Sequence, residues 1–413
     1  MRVGIVGLGY VGLPLAVAFA AADAEVIGVD TDSRRIDALA GGRSYVEDVP
    51  DAALEAALPR LQLSCDYAPL AAADAVLICV PTPLSANREP DLGPLLSCAH
   101  ALGGVLVGGQ LVVLESTSYP GTTRERVAPL LERGGLRAGV DFHLAYSPER
   151  VDPGRTDFTL ANTPKVVGGL TVEGGDRAEA LYRLVCGEVV RVATPEVAEL
   201  AKLLENIFRA VNIALVNELA LLTDRMGIDI WEVIDAASTK PYGFMRFEPG
   251  PGMGGHCLPV DPFYLAWRAR EFDMPVEFIE LAGKLNQQMP YHCVAKLQRI
   301  LNERGLAVRG ARIAVLGVSY KPGVGDVRES PALKIIALLD ELGAEVVYHD
   351  PLVAEIEVGA RRSLELDDAL AGADVALIVT AHRALDYDAL AQRVPCVLDL
   401  RGVTAPAPNV VRL

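Results

Sequence analysis

Arg2-Val3-Gly4-Ile5-Val6-Gly7-Leu8-Gly9-Tyr10-Val11-Gly12, continued through an alanine-rich run to Glu25-Val26-Ile27-Gly28-Val29-Asp30, decides the fold of this chain. Arg2 to Val6 reads as a short apolar strand. A turn punctuated by Gly7, Gly9 and Gly12 follows, then a helix over about residues 14–22 and a second strand ending on Asp30. Strand, Gly-x-Gly-x-x-Gly turn, helix, strand and an acid about twenty residues on is the order that binds a dinucleotide. Gly7 permits the tight turn. Gly9 lets a pyrophosphate reach the helix N-terminus, and Gly12 lets helix pack on strand. Asp30 is placed to accept from both ribose hydroxyls and to repel a 2′-phosphate, which selects NAD over NADP. Arg35 follows, either at the adenosine phosphate or as a solvated helix charge.

The same stretch imitates a leader. Residues 3–22 carry no charge and follow Arg2. Four glycines and Pro14 interrupt them too often for a span, so neither a signal peptide nor a membrane segment is expected.

Outward from this start the strand-helix alternation continues. Residues 75–80 form a buried strand ending in Pro81-Thr82-Pro83. Residues 110–114 form another, ending in Glu115-Ser116-Thr117, and residues 142–146 a third, ending in Ser147-Pro148-Glu149-Arg150. Ligands of open parallel sheets sit at the carboxyl ends of strands. Each of Thr82, Ser116, Thr117 and Glu149 alone reads equally well as a turn or cap residue; three polar strand ends together mark a site. From residue 194 to about 224 apolar residues recur at three and four, which predicts a helix long enough to span between domains or to build a dimer interface. Lys202 and Asn206 share one face of it.

The last third repeats the first. Residues 312–320 echo residues 2–10, and residues 373–379 echo residues 73–79. A second doubly wound sheet therefore starts near residue 310. Ser319 stands where the second fingerprint glycine would be, and Lys321 and Arg328 follow. That suits a nucleotide diphosphate held partly by cations. The fold class is α/β: two Rossmann-like doubly wound parallel-sheet domains joined by a long central helix, with boundaries at 1–195, 196–305 and 306–413.

Between the two sheets lies Pro249-Gly250-Pro251-Gly252-Met253-Gly254-Gly255-His256-Cys257-Leu258-Pro259-Val260-Asp261-Pro262. Four glycines and four prolines in fourteen residues exclude a helix interior or central strand. The loop carries one thiol, Cys257, and a carboxylate, Asp261. A lone cysteine is more often a small buried hydrophobe; the glycines before it and the acid after it make it a nucleophile instead.

The totals restrict the partners. The chain has 413 residues, 51% of them hydrophobic, enough for two or three domains. Its net charge of −16 and the lack of any Lys/Arg run exclude a nucleic-acid surface. Seven scattered cysteines, with no Cys-x-x-Cys pair, predict reduced thiols in the cytoplasm and no metal site.

Taken together, these motifs resemble the UDP-glucose/GDP-mannose dehydrogenase family. The marks are Gly7 to Leu13, Pro81-Thr82-Pro83, Glu115-Ser116-Thr117, Pro148-Glu149-Arg150, Lys202 with Asn206, Gly254-Gly255-His256-Cys257 with Asp261, and Lys321 to Ser330. Three details look like the UDP-N-acetylglucosamine 6-dehydrogenases: Pro83-Leu84 followed by Arg88-Glu89-Pro90-Asp91-Leu92, Ser147 to Gly154, and Pro241-Tyr242-Gly243-Phe244. UDP-glucose enzymes typically carry a second Glu where Pro153 stands here, a departure that leaves open which group holds the catalytic water.

The resemblance implies a four-electron oxidation of a UDP-sugar C6 alcohol to a carboxylate with two NAD in turn. Cys257 then forms a thiohemiacetal and a thioester. Lys202 and Asn206 hold the C6 oxygen. Asp261 stands first for the hydrolytic water and Glu149 second, with Thr117 helping to position it. His256 is not expected to be the base of the thiol. Gly7, Gly9, Tyr10, Val11, Gly12, Asp30, Arg35, Pro81, Thr82, Ser116, Thr117 and Arg328 are expected on NAD, Arg328 alternatively at an adjacent subunit. Glu149, Arg150, Lys202, Asn206, Phe247, Gly254 and Lys321 are expected on the UDP-sugar. A homodimer or larger homo-oligomer is expected. The alternatives are the same chemistry on UDP-glucose or UDP-N-acetylmannosamine, a two-electron hydroxyacid-type dehydrogenase, and a catalytically silent nucleotide-sugar-binding protein.

Overall fold

The computed structural model describes every residue except 86–88, 153–156 and 256–260. Arg88, Pro153, Gly154, His256 and Cys257 thus lie outside the described residues. The chain divides into two compact units: Met1–Glu205 with Phe263–Met274, and Asn206–Pro262 with Pro275–Leu413.

Eight strands form the sheet of the first unit: β1 Arg2–Val6, β2 Glu25–Val29, β3 Leu61–Ser64, β4 Ala75–Ile78, β5 Leu111–Leu114, β6 His143–Tyr146, β7 Lys165–Gly169 and β8 Val189–Val192. Their order is β3-β2-β1-β4-β5-β6-β7-β8. The first six are parallel, and β7 turns antiparallel to β6. The order 3-2-1-4-5-6 is that of a dinucleotide-binding sheet, with its crevice between β1 and β4. Helices cover both faces of such a sheet, so its central strands read as apolar runs: every residue of β4 and β5 is buried. Each fully buried aliphatic side chain there contributes about 1.5–3 kcal/mol.

The uncharged run at residues 3–22 is absorbed into this core as strand, turn and the helix Gly12–Ala21. The helix starts two residues before the expected position. Pro14 therefore falls in its first turn, where a missing N–H costs nothing.

The second unit holds β9 Arg312–Leu316, β10 Glu345–His349, a two-stranded ribbon of β11 Glu355–Ile356 and β12 Arg361–Arg362, then β13 Val375–Ile378, β14 Val397–Asp399 and β15 Val410–Arg412. The main sheet runs β10-β9-β13-β14-β15, all parallel, which is the 2-1-3-4-5 doubly wound order with its crevice between β9 and β13.

The helix Pro195–Met226 is 32 residues long; it starts in the first unit and passes into the second at Asn206. Among the described residues it is the one helix long and apolar enough, by length and composition, to cross a membrane. Within the second unit it is clipped to the helix Glu277–Glu303 by Asp224, which accepts from Lys296 Nζ at 2.5 Å and Arg299 Nη2 at 2.7 Å. Residues 196–305 are divided between the two units.

Candidate active site

In the first unit the fingerprint turn has the shape its glycines predict. Gly7 has φ +90°, and a Cβ there would lie 2.7 Å from the carbonyl oxygen of Cys79. A Cβ on Gly12 would lie 1.9 Å from the carbonyl oxygen of Gly7. Around Gly9 the space is open, with no atom within 4 Å of where a Cβ would stand. The helix Gly12–Ala21 has no side-chain cap and no acid in its first turn, so the positive end of its dipole faces the turn without a negative side chain on it, although Leu13 N–H bonds back to Gly9 O at 3.0 Å. Tyr10 and Val11 flank it, half-buried. Asp30 closes the turn: Oδ2 accepts from Leu8 N–H at 2.9 Å and Oδ1 from Asp32 N–H at 3.0 Å. Arg35 Nη1 lies 3.3 Å from Asp30 Oδ2, and its guanidinium sits 5.4 Å over the Tyr45 ring. A carboxylate offers about four acceptor positions, so Asp30 keeps capacity for a ribose hydroxyl. An open glycine, an uncapped helix and an acid with acceptor capacity fit a dinucleotide.

At the ends of β4 and β5 the polar residues bond to each other. Thr82 Oγ1 donates to Thr117 O at 2.7 Å and Ser116 Oγ to Val80 O at 2.7 Å. Their hydroxyl protons fix the strand ends, and they shape the crevice through the backbone. Pro81 is exposed beside them and Thr117 half-buried.

Glu149 follows β6. Its Oε1 accepts from the N–H groups of Arg150 (2.7 Å) and Val151 (2.6 Å), and Lys165 Nζ lies 3.5 Å from Oε2. Burial opposes its charge, yet Lys165, the two N–H groups and Lys202 outweigh burial and hold its carboxyl below the usual range. Lys165 itself donates to Glu115 Oε2 at 2.7 Å, and Tyr182 OH donates to Glu115 Oε1. Burial, with the charge of Glu149, pushes the Glu115 carboxyl up against the opposing pull of Lys165. Lys202 is buried on the long helix. Arg150 donates to Pro164 O at 2.6 Å and pairs with Glu205 at 2.8 Å.

In the second unit Asn206 Nδ2 donates to Asp261 Oδ2 at 2.5 Å, both buried. The structure thus joins these two predicted residues. The glycine loop is tied down behind them: Gly250 N–H donates to Asn217 Oδ1 (2.9 Å), Asn217 Nδ2 to Asn286 Oδ1 (2.9 Å), and Asn286 Nδ2 to Ala210 O (3.1 Å). Gly252 passes the carbonyl oxygen of Asn286, 3.1 Å from its would-be Cβ. Pro290 lacks the N–H that would have bonded that carbonyl. Gly254 and Gly255 lie against Tyr320, and Gly255 N–H donates to Arg328 O at 3.0 Å. The glycine loop and the Lys321–Ser330 loop are therefore neighbours. Phe247 is half-buried on Phe208, ring centroids 5.7 Å apart, and Lys321 is half-buried. Arg328 pairs with Asp326 at 2.6 Å in this unit.

Sequence reasoning missed Lys165, Asn217 and Asn286, and passed over Glu115 as one letter of a motif. Asn217 had a signal: it lies eleven residues after Asn206, about three helical turns, hence on the same face. Among the described residues no group of His, Cys, Asp or Glu is arranged to hold a metal.

Comparison with known proteins gives matches along nearly the whole chain. The NAD binding domain of the UDP-glucose/GDP-mannose dehydrogenase family matches residues 1–186, its central domain residues 196–288 and its UDP binding domain residues 314–406. The UDP-N-acetyl-D-mannosamine dehydrogenase of Pyrococcus horikoshii is 37% identical over 417 residues, covering 99% of this chain and 97% of that protein. The UDP-N-acetyl-D-glucosamine 6-dehydrogenase of Pseudomonas aeruginosa is 38% identical over 356 residues, 86% of this chain and 83% of that protein. A solved UDP-D-ManNAc dehydrogenase from Pyrococcus horikoshii superposes with a TM-score of 0.92 at 36% identity, covering 100% of this chain and 98% of that one. The chain belongs to the UDP-glucose/GDP-mannose dehydrogenase family and is an NAD-dependent oxidoreductase of nucleotide sugars.

Proposed function

We propose that this enzyme oxidises the C6 hydroxyl of UDP-N-acetylglucosamine to the carboxylate, using two NAD and one water per sugar. NAD, when bound, would supply the hydride acceptor for each of the two oxidations. In the first, Lys202 and Asn206 hold the C6 oxygen as it loses its proton. Removing one such donor typically costs about 100- to 1000-fold in rate. The Cys257 thiolate then adds to the aldehyde carbon, and the thiohemiacetal loses a second hydride to become a thioester. Water attacks the thioester carbonyl, the C–S bond breaks, and Asp261 or Glu149 takes the proton, with Thr117 positioning the water. The observation that carries this reading is the buried amide-carboxylate pair of Asn206 and Asp261, the latter four residues after the thiol.

Lys321, Arg150, Phe247 and Gly254 are assigned to the UDP-sugar, and Arg328 to the NAD phosphates or an adjacent subunit. The functional division stays 1–195, 196–305 and 306–413. The resemblance of Pro83 to Leu92 and of Pro241 to Phe244 supports the N-acetylglucosamine choice. A second reading, UDP-N-acetylmannosamine, is favoured by the relative that covers 99% of this chain. Homodimerisation is supported by the long helix, which exposes Leu204 at 63% and Leu215 at 52% of their surface. The thiol usage supports a cytoplasmic site of action.

The test is NADH released per sugar consumed, with UDP-N-acetylglucosamine, UDP-N-acetylmannosamine and UDP-glucose offered separately. Two NADH from the first is expected. Two from another sugar alone removes the substrate assignment and keeps the chemistry. One NADH from every active sugar removes the thioester.

A further inference from the structure

Behind the first unit's strand ends lies a buried ionic set of which the reaction as proposed uses only Glu149. Glu115 follows β5, Glu149 follows β6, Lys165 opens β7 and Tyr182 ends the helix Val172–Tyr182. The antiparallel register of β6 and β7 pairs Ala145 with Gly169 and Tyr146 with Gly168. Continued three residues, that register places Lys165 opposite Glu149. The ammonium then sits between two carboxylates, 2.7 Å from Glu115 and 3.5 Å from Glu149.

The members differ in exposure. The Lys165 side chain is 2% exposed and that of Glu115 0%, whereas that of Glu149 is 18% exposed. Glu149 is thus the outer member, and Glu115, Lys165 and Tyr182 stand behind it. Its two oxygens also differ. Two backbone N–H groups occupy Oε1, while Oε2 faces Lys165 at a distance that transmits charge and leaves room for another donor. Glu115 and the Tyr182 ring, 5.1 Å from Nζ, keep the ammonium in place. A salt bridge serving stability alone needs one carboxylate, and a buried pair of that kind is often no better than apolar packing. The second, outward-facing carboxylate is what that account leaves unexplained.

The geometry points to Lys165 as a positioning residue for the hydrolytic step: held by Glu115, it keeps Glu149 oriented and ionised so that Oε2 receives the proton of the attacking water. This rests on the role given to Glu149 above. Among the described residues, the charged and titratable groups around Glu149 are Lys165 and Glu115, Lys202 on the long helix, Arg150 paired with Glu205, the thiols of Cys79 and Cys186, and Tyr182 behind Glu115. Burial pushes both thiols and the phenol up, so they stay neutral near neutral pH. Among the described residues Lys165 and Lys202 are then the cations that hold the Glu149 carboxyl down, Arg150 being paired with Glu205, and Glu115 is the anion sharing Lys165.

The experiment is single-turnover formation of the uronic acid across the acid and neutral pH range, with thermal unfolding measured alongside. Lys165→Gln is expected to move the acid limb of hydrolysis up by about one to three pH units, the size of shift an adjacent opposite charge produces. Glu115→Gln frees Lys165 for Glu149 alone and is expected to move the limb down. Lys165→Arg keeps the charge and is expected to restore the limb. A purely structural ion pair would change unfolding and leave the limb in place for both Lys165→Gln and Glu115→Gln, and that result overturns the inference. If Lys165→Gln does not fold, the direction of the Glu115→Gln shift decides alone. Glu149→Gln separates the two levels: if it leaves hydrolysis unchanged, the role of Glu149 fails and the inference with it. If it abolishes hydrolysis while the other variants keep the wild-type limb, only the inference fails.

Discussion

Replacing Asn217 by alanine should loosen the cysteine-bearing loop from its base. Asn217 is fully buried and stands in the middle of a relay from Gly250 N–H through Asn286 to the Ala210 carbonyl. The substitution leaves Gly250 N–H without an acceptor and Asn286 Oδ1 without a donor. Each buried unsatisfied group costs about 1–3 kcal/mol, so the change should cost about 2–6 kcal/mol. Asn286→Ala orphans fewer groups, because the Ala210 carbonyl lies inside a helix that also accepts from its own backbone; about 1–3 kcal/mol is expected. The assay is urea unfolding, read as a shift in midpoint at constant slope. Turnover should fall with stability, since displacing a reacting group by about 1 Å costs on the order of 100-fold, while NADH per sugar stays at its wild-type value. The reasoning is refuted if Asn217→Ala costs less than about 0.5 kcal/mol or if Asn286→Ala costs more than Asn217→Ala.

The two fingerprint glycines should separate stability from cofactor binding. Gly12→Ala drives a methyl into the Gly7 carbonyl and should cost about 1–3 kcal/mol or more. Gly9→Ala enters open space and should leave unfolding within about 0.5 kcal/mol, while KM for NAD rises; equal KM values in Gly9→Ala and wild type would sink the pyrophosphate assignment. Glu199 supplies a pH dependence. Burial pushes its carboxyl up to about 7 from 4.5, against donors from Thr123 and Gly121. Its folded value exceeds its unfolded one, so its contribution is fully present below pH 4.5 and declines as pH rises to about 7. The decline is about 3 kcal/mol. Scanning calorimetry of Glu199→Gln across that window should show the slope flattened. Finally, Leu215→Glu with Leu219→Glu on the exposed stripe of the long helix should yield a smaller species by light scattering; an unchanged mass would exclude that stripe as the interface.

The turns and strand ends were legible because short-range rules govern them. Gly12 answers to Gly7 five residues back, Gly7 has the positive φ its tight turn demands, and the apolar runs of β4 and β5 report burial on both faces directly. Lys165 and Asn286 were illegible because their partners are 50 and 69 positions away in sequence, and the spacing that sets Asn217 on the face of Asn206 does not reveal its bond to Gly250, 33 positions on. No local pattern distinguishes a lysine that will be buried between two carboxylates from one bound for solvent. The second sheet shows where that boundary falls. Asp350 ends β10 as Asp30 ends β2, and it accepts from Val318 and Ser319 N–H as Asp30 accepts from Leu8. A carboxylate at this position therefore braces the first turn in both sheets, before any ligand arrives. What differs is what reaches it next. Ser319, fully buried, stands in sequence where Gly9 stands in the first turn, and His382 Nε2 lies 3.1 Å from Asp350 Oδ2, occupying an acceptor that Asp30 retains. Burial opposes the Asp350 charge, but His382 and the N–H groups of Leu352 and Val318 hold its carboxyl below the usual range. The serine was visible in the sequence. The histidine, 32 positions on, was not, and it is the histidine that takes up acceptor capacity of this acid.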